Sequence, residues 1–211
     1  MSAGLLALGV SHKTAPLAVR ERLALPEGRA SAVLDELTSL EQIHEAVAIS
    51  TCNRTELYLV ATDDMTAESA ALSLLAREAD IPPTQLASAL YSHRDSDAVR
   101  HLFSVSAGLD SMIVGEAEIQ GQVKRAYELA LVGGATGPIT NRLFHAALAA
   151  GKRVRTETGV GRSRISVSTV AAELACRGLG VGPTSGVPTE ASCPAGGDAE
   201  GELSAHPHAE G

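Results

Sequence analysis

The chain has 211 residues, 45% of them hydrophobic, and a formal net charge of −8, enough apolar material for one good core or two small ones. No apolar run is long enough to cross a bilayer, residues 1–10 lack the basic start and long apolar centre of a signal peptide, and three widely spaced cysteines make no disulfide framework, so a reducing cytoplasm and no membrane partner are expected. Aromatics are only 2%, with no Trp, which argues against base stacking and leaves the core to Leu, Val, Ile and Ala.

Residues 4–10 (GLLALGV) read as a buried first strand. Ala15–Leu23 and Pro26–Leu40 read as helices, the second with Val33, Leu34, Leu37 and Leu40 at helical spacing and Pro26 at its start. Strands follow at about 45–50 and 56–61, then a helix over Ala67–Ala79 with Ala71, Leu74 and Leu75 inward, and a break at Ile81-Pro82-Pro83. Ala89-Leu90-Tyr91 is a candidate edge strand. This order predicts an α+β fold: an antiparallel, ferredoxin-like sheet with helices on one face. From Asp97 the pattern turns helical and predicts an added helical subdomain. Val99, Leu102, Phe103 and Ser106 form one apolar face, and Ile119, Val123, Ala126, Ala130 and Leu131 another, ended by Gly133-Gly134. A third helix runs from Pro138 to Thr156 on Leu143, Ala147, Leu148 and Gly151, and a fourth starts over Val167–Ala175.

Composition then shifts. Residues 178–211 hold 8 of the 20 Gly and 4 of the 9 Pro, with Leu179, Val181, Val187 and Leu203 the large apolar residues. Such a segment buries too little surface to offset its ordering entropy and is expected to be a disordered tail. It also carries five acids and no Lys or Arg, which accounts for much of the negative charge. Residues 142–164, by contrast, hold Arg142, Lys152, Arg153, Arg155, Arg162 and Arg164 against Glu157 alone. A solvated helix face and a phosphate-contacting stripe both fit that run.

The richest stretch is Ser50-Thr51-Cys52-Asn53-Arg54-Thr55-Glu56. It reads as a polar connection between two buried strands, so its side chains can converge. A cysteine alone is more often a buried structural residue. Here Arg54, charged at any physiological pH, stands two residues from Cys52, and a nearby cation favours the reactive thiolate. Cys52 is therefore a candidate nucleophile. Other chemistry-bearing residues read more plainly. Asp110 suits a cap or turn, His12 and Lys13 suit holding the loop after the first strand, and Cys176 suits a core or an interface. Cys193, His206 and His208 lie scattered in the tail and do not make a metal site.

Four blocks carry a resemblance: Gly9-Val10-Ser11-His12-Lys13-Thr14-Ala15-Pro16 followed by Arg20-Glu21; Ser50–Glu56 with Leu57-Tyr58; Gly108-Leu109-Asp110-Ser111 leading to Gly115-Glu116 and Gly121-Gln122-Val123-Lys124; and Gly151–Thr158 (GKRVRTET). In order and spacing they resemble the N-terminal half of the glutamyl-tRNA reductase family, over about residues 4–176. The resemblance implies thioester chemistry at the start of tetrapyrrole (5-aminolevulinate) synthesis. A cysteine, here Cys52, attacks the ester joining glutamate to the tRNA 3′ end, and NADPH then reduces the thioester to glutamate-1-semialdehyde. The substrate-holding positions it implies are Thr51, Asn53, Arg54, Ser111, Glu116, Ala117, Glu118 and Gln122. Arg54 would take the γ-carboxylate bidentately, Glu116 would accept from the α-ammonium, and His101 would deprotonate the thiol or polarise the carbonyl.

The chain also departs from the family. Glu118 stands where the family usually has Gln; a second carboxylate there would repel the γ-carboxylate and support the ammonium. The resemblance implies a catalytic domain over 1–158, the start of a linker helix over 159–177, and then the tail over 178–211. The NADPH-binding and dimerisation domains of the family's homodimer are not expected in this sequence. Gly178–Gly182 imitates a dinucleotide loop but has no strand before it and no helix after it. Acyl capture from glutamyl-tRNA, with esterase activity, is thus the expected enzymatic outcome, against a non-catalytic tRNA-binding remnant or an inactive truncation product.

Overall fold

The computed structural model describes residues 3–161. The expected helix over Val167–Ala175, the tail, the Gly178–Gly182 cluster, Cys176 and Cys193 lie outside the described residues. Within them, four strands form one antiparallel sheet in the order β2-β3-β1-β4, with β1 Gly4–Ser11, β2 Ile43–Ser50, β3 Arg54–Ala61 and β4 Tyr91–Arg94. Helices α1 (Leu17–Arg22) and α2 (Glu27–Thr38) join β1 to β2. Helices α3 (Asp64–Ala79) and α4 (Pro83–Ala87) join β3 to β4. This is the ferredoxin-like β-α-β-β-α-β plan. Helices α5 (Asp95–Ser106), α6 (Glu118–Val132) and α7 (Pro138–Glu157) make the helical addition.

The central strand shows how the two parts meet. All eight residues of β3 are buried, so both sheet faces are covered, and alternate side chains serve different layers. Thr55 faces the α1–α3 side, donating from Oγ1 to the Leu23 carbonyl. Arg54, Glu56 and Tyr58 face the helical addition: Glu56 meets His101 of α5, and the Tyr58 ring packs edge-on against Phe144 of α7. The second layer explains why β1 and β3 read as near-continuous apolar runs rather than as alternating ones.

Local signals set the helix ends. Asp63 caps α3 by accepting from the amides of Met65 and Thr66. Asp80, in the left-handed region at φ 51°, ends that helix. Two expectations shift. Strand β3 begins at Arg54 rather than 56, because Ser11 of β1 pairs opposite Arg54 and extends the ladder. The edge strand begins at Tyr91, where Gly9 of β1 offers a partner, after the short helix α4 that occupies the Pro-Pro break. Among the described residues no helix is long and apolar enough to cross a membrane.

Candidate active site

The β2–β3 connection is three residues, Thr51-Cys52-Asn53. Thr51 organises it: its amide donates to the Arg54 carbonyl, and its Oγ1 accepts from the amides of Asn53 and Arg54 at 3.1 Å each, the side-chain-to-backbone turn that Ser and Thr favour. The turn after β1 supports the tip, since the His12 amide donates to the Asn53 carbonyl at 2.8 Å. Arg20 of α1 donates from Nη1 to the Cys52 carbonyl and to Asn53 Oδ1. The hairpin is thereby fixed in its backbone while the Cys52 side chain stays exposed.

Opposite the hairpin lies the loop between α5 and α6. Together they enclose a cleft of about 140 Å³. Seven of the expected substrate-holding positions and Cys52 line it: Thr51, Asn53, Arg54, Ser111, Glu116, Glu118 and Gln122, with Met112 and Ile119 completing the wall. Pockets that enclose drug-sized ligands run to roughly 300–1,000 Å³, so this one admits a group of amino-acid size. Ser111 is 6% exposed and its Oγ has no hydrogen-bond partner among the described residues. A buried orphan hydroxyl lining a cleft is a donor awaiting a ligand. Glu116 and Glu118 add two carboxylates, a setting that attracts an ammonium group. Ala117 is the residue before α6 and does not line the cleft.

Arg54, expected to favour the Cys52 thiolate and to take the γ-carboxylate, is already engaged by two other acids. Its Nη1 donates to Glu56 Oε1 at 2.5 Å, and its Nη2 donates to the Asp110 carbonyl at 2.5 Å and to Asp110 Oδ2 at 3.1 Å. Asp110 in turn pairs with Lys13. Burial opposes the guanidinium charge, but Glu56 and its other anionic neighbours raise its pKa further. Asp110, beyond the turn role expected of it, joins Lys13 and Arg54, and with it the loop after β1 to the loop after α5.

Glu56 is the hub behind the cleft. It accepts from Arg54, Tyr91 and His101 on Oε1 and from Tyr58 on Oε2. Burial would push its carboxyl up. The bonds from His101 and Tyr91 and the charge of Arg54 overcome that and hold it down to about 2. His101 is therefore engaged at Glu56, 2.9 Å away through Nε2, and is not among the residues lining the cleft. Sequence reasoning missed Glu56, Asp110 and Arg20 as builders of the site. Arg20 stands 32 residues before Cys52, and its place in the first sequence block is the one signal it gave.

The basic stretch does not form one stripe. Arg153 pairs with Glu157, whereas Arg155, roughly 200° around the helix, turns inward to the Glu116 carbonyl. Arg162 and Arg164 lie outside the described residues. No parallel strand–helix–strand unit of the kind that binds a dinucleotide occurs among the described residues, so they do not fit NADPH.

The sequence profile of the family described as glutamyl-tRNAGlu reductase, N-terminal domain, matches residues 8–158. A glutamyl-tRNA reductase of Rubrobacter xylanophilus is 52% identical over 167 residues, 79% of this chain and 39% of its own length. One from Thermosynechococcus vestitus is 45% identical over 168 residues, covering 80% and 39%. The solved structure of glutamyl-tRNA reductase from Methanopyrus kandleri superposes with a TM-score of 0.64 at 31% identity, over 82% of this chain and 39% of that one. The chain thus spans about two fifths of the length of these relatives. With the profile match across most of the described fold and relatives up to 52% identical, the chain belongs to the glutamyl-tRNA reductase family and carries its N-terminal domain.

Proposed function

We propose that this chain takes the glutamyl group from glutamyl-tRNA as a thioester on Cys52, the step that precedes NADPH reduction to glutamate-1-semialdehyde in tetrapyrrole synthesis. In this reading the Cys52 thiolate attacks the ester carbonyl. The sulfur–carbon bond forms, the bond from that carbon to the ribose oxygen breaks, and the freed ribose oxygen takes a proton. A thiol suits the task because it is strongly nucleophilic near neutral pH. NADPH supplies the hydride of the later step; no residue described here is assigned to it.

The observation that carries the proposal is an exposed thiol on the wall of a small cleft that also holds an orphan hydroxyl and two carboxylates. Glu116 and Glu118 receive the α-ammonium, and Ser111, Asn53, Thr51 and Gln122 position the rest of the acyl group. Arg54 meets the γ-carboxylate from a guanidinium already shared with Glu56 and Asp110. His101 acts through Glu56, holding the carboxylate that holds Arg54. The cleft is too small for a nucleotide, so the tRNA stays outside and only its aminoacyl end enters.

The test is incubation of the 211-residue chain with glutamyl-tRNA, an acid quench, and intact mass of the protein. A glutamyl adduct on the wild type that is absent from Cys52→Ser is expected. No adduct on the wild type, or an adduct that survives in Cys52→Ser, overturns the proposal.

A further inference from the structure

The loop that carries Ser111 and Glu116 is closed on itself and clasped from outside. The Gly115 amide donates to the Gly108 carbonyl at 2.9 Å, and the Glu116 amide to the Ile113 carbonyl at 3.1 Å. Gly108 and Gly115 adopt φ values of 74° and 85°, in the left-handed region that favours glycine. The clasp comes from the C-terminal part of α7 and the turn after it. At Gly151 a side chain would place its Cβ 2.5 Å from the Ser106 carbonyl oxygen, so the backbone of α7 lies directly on the end of α5, where the loop begins. One turn on, Arg155 Nη1 donates to the Glu116 carbonyl at 2.9 Å. Beyond the helix, the Val160 carbonyl oxygen sits where a Cβ on Gly115 would be, only 2.2 Å away. Among the described residues, Arg155 is the one side chain from outside the loop that hydrogen-bonds to residues 112–117.

Gly151, Arg155 and Val160, which make these contacts, are not among the residues that line the cleft with Cys52. Ser111, Glu116 and Glu118 do line it. A cation serving the tRNA backbone would be exposed, as Arg142 and Lys152 are; Arg155 instead is half-buried and bonded to the Glu116 carbonyl.

We infer that Arg155 is a positioning residue for substrate selection: by fixing the Glu116 main chain it holds the Glu116 carboxylate where it meets the α-ammonium of the incoming aminoacyl ester. The inference rests on the acyl capture proposed above and adds to it a requirement for a free α-amino group. Losing the Arg155 bond frees the glycine-flanked end of the loop, and the carboxylate no longer holds one direction. The acyl carbonyl and Cys52 are unaffected. The consequence is a loss of discrimination rather than a loss of the nucleophile.

The experiment compares glutamyl-tRNA with N-acetylglutamyl-tRNA, which lacks the ammonium, as acyl donors to the wild-type chain, Arg155→Ala and Arg155→Lys. Capture on Cys52 is followed over a range of donor concentrations. The wild type is expected to prefer the free-amino ester by about tenfold at sub-saturating donor, the weight of one charge-assisted hydrogen bond. Arg155→Ala should raise the half-saturating concentration of glutamyl-tRNA by about that factor and leave the N-acetyl donor little changed. Arg155→Lys should recover part of the preference. Amide hydrogen exchange at Gly115 and Glu116 should quicken in Arg155→Ala while β1 and β3 keep their protection. An undiminished preference in Arg155→Ala, or an equal loss with both donors, overturns the inference alone. Capture of neither donor by the wild type overturns the acyl-capture reading and this one with it, while the exchange data still report whether the clasp exists.

Discussion

Arg54 Nη1 lies 2.5 Å from Glu56 Oε1, and each side chain is 1% exposed. The two residues share one face of β3, separated by Thr55. The pair joins β3 to the loop after α5, to α5 itself and to the edge strand, because Arg54 continues to Asp110 and Glu56 to His101, Tyr91 and Tyr58. A buried ion pair of this kind is costly to break from one side, since the survivor keeps its desolvation cost without its counter-charge.

Glu56→Leu should therefore destabilise the chain by about 3–5 kcal/mol, the range for stripping one partner from a buried pair. Arg54→Met with Glu56→Leu should cost less than Glu56→Leu alone, because no charge is left stranded. Urea unfolding of the two variants measures the difference. A double variant less stable than the single one would mean that the network contributes more than its desolvation costs.

The same carboxylate sets an acid limit. Glu56 is held at about 2 in the folded chain against an ordinary value of 4.5. A depressed acid contributes stability that is complete above its unfolded pKa and is lost as the pH falls towards its folded one. The loss should run from about pH 4.5 down to about pH 2 and amount to at most ~3.5 kcal/mol, since each tenfold change in proton affinity is worth about 1.4 kcal/mol. Unfolding free energy measured between pH 6 and pH 2.5 should fall in the wild type. Glu56→Gln, less stable overall, should show a shallower fall by about one proton. Equal slopes would assign the acid sensitivity to other carboxylates, Asp110 first, because it too is lowered by Lys13 and Arg54 against its burial.

A second buried carboxylate governs how the helical addition seats on the sheet. Glu45 of β2 accepts from the amides of Ile139 and Thr140 and from Thr140 Oγ1, the last two at 2.7 Å. It serves as a cap for α7 from 95 residues away, satisfying N–H groups that the helix leaves open and matching the positive end of its dipole. Glu45→Gln loses the charge and one acceptor oxygen and should cost about 1–2 kcal/mol. Thermal unfolding checks this, and exchange at the Ile139 and Thr140 amides should quicken with it. Unchanged protection there would show that the cap is dispensable.

Glu45 also shows where reading the sequence stops. It opens the strand expected over about 45–50, and nothing local marks it as a cap for a helix so distant in sequence. The strands, the helix order and the ferredoxin-like plan were legible because periodicity and punctuation are local. Helix faces were legible to within one step. On α5 the expected Val99 is exposed while Ala98 and Val105 are buried, and on α6 Leu131 is exposed while Tyr127 is buried. α5 packs against α7 as well as β1 and β4, and α6 against β2 as well as α2, α5 and α7, so the neighbours on several sides decide which face is buried. In the site, the hairpin tip and the cleft wall followed from the sequence blocks. The partners of Arg54 did not, because β3 extends to Arg54 only by pairing with Ser11, and that pairing aims Arg54 and Glu56 at the same layer.

Ser111 separates what the fold needs from what the site needs. Its hydroxyl is buried without a partner among the described residues, and an unsatisfied buried polar group costs about 1–3 kcal/mol. Ser111→Ala removes the hydroxyl and keeps the shape, so the free chain should become no less stable and should gain up to about 1 kcal/mol. If the hydroxyl donates to the acyl group during capture, the same change should slow capture from glutamyl-tRNA by up to about tenfold, the weight of one hydrogen bond. Unfolding and acyl-capture measurements on the same variant give the two signs. A destabilised variant would mean that Ser111 already has a partner within the fold, and a stable variant with undiminished capture would remove Ser111 from the site.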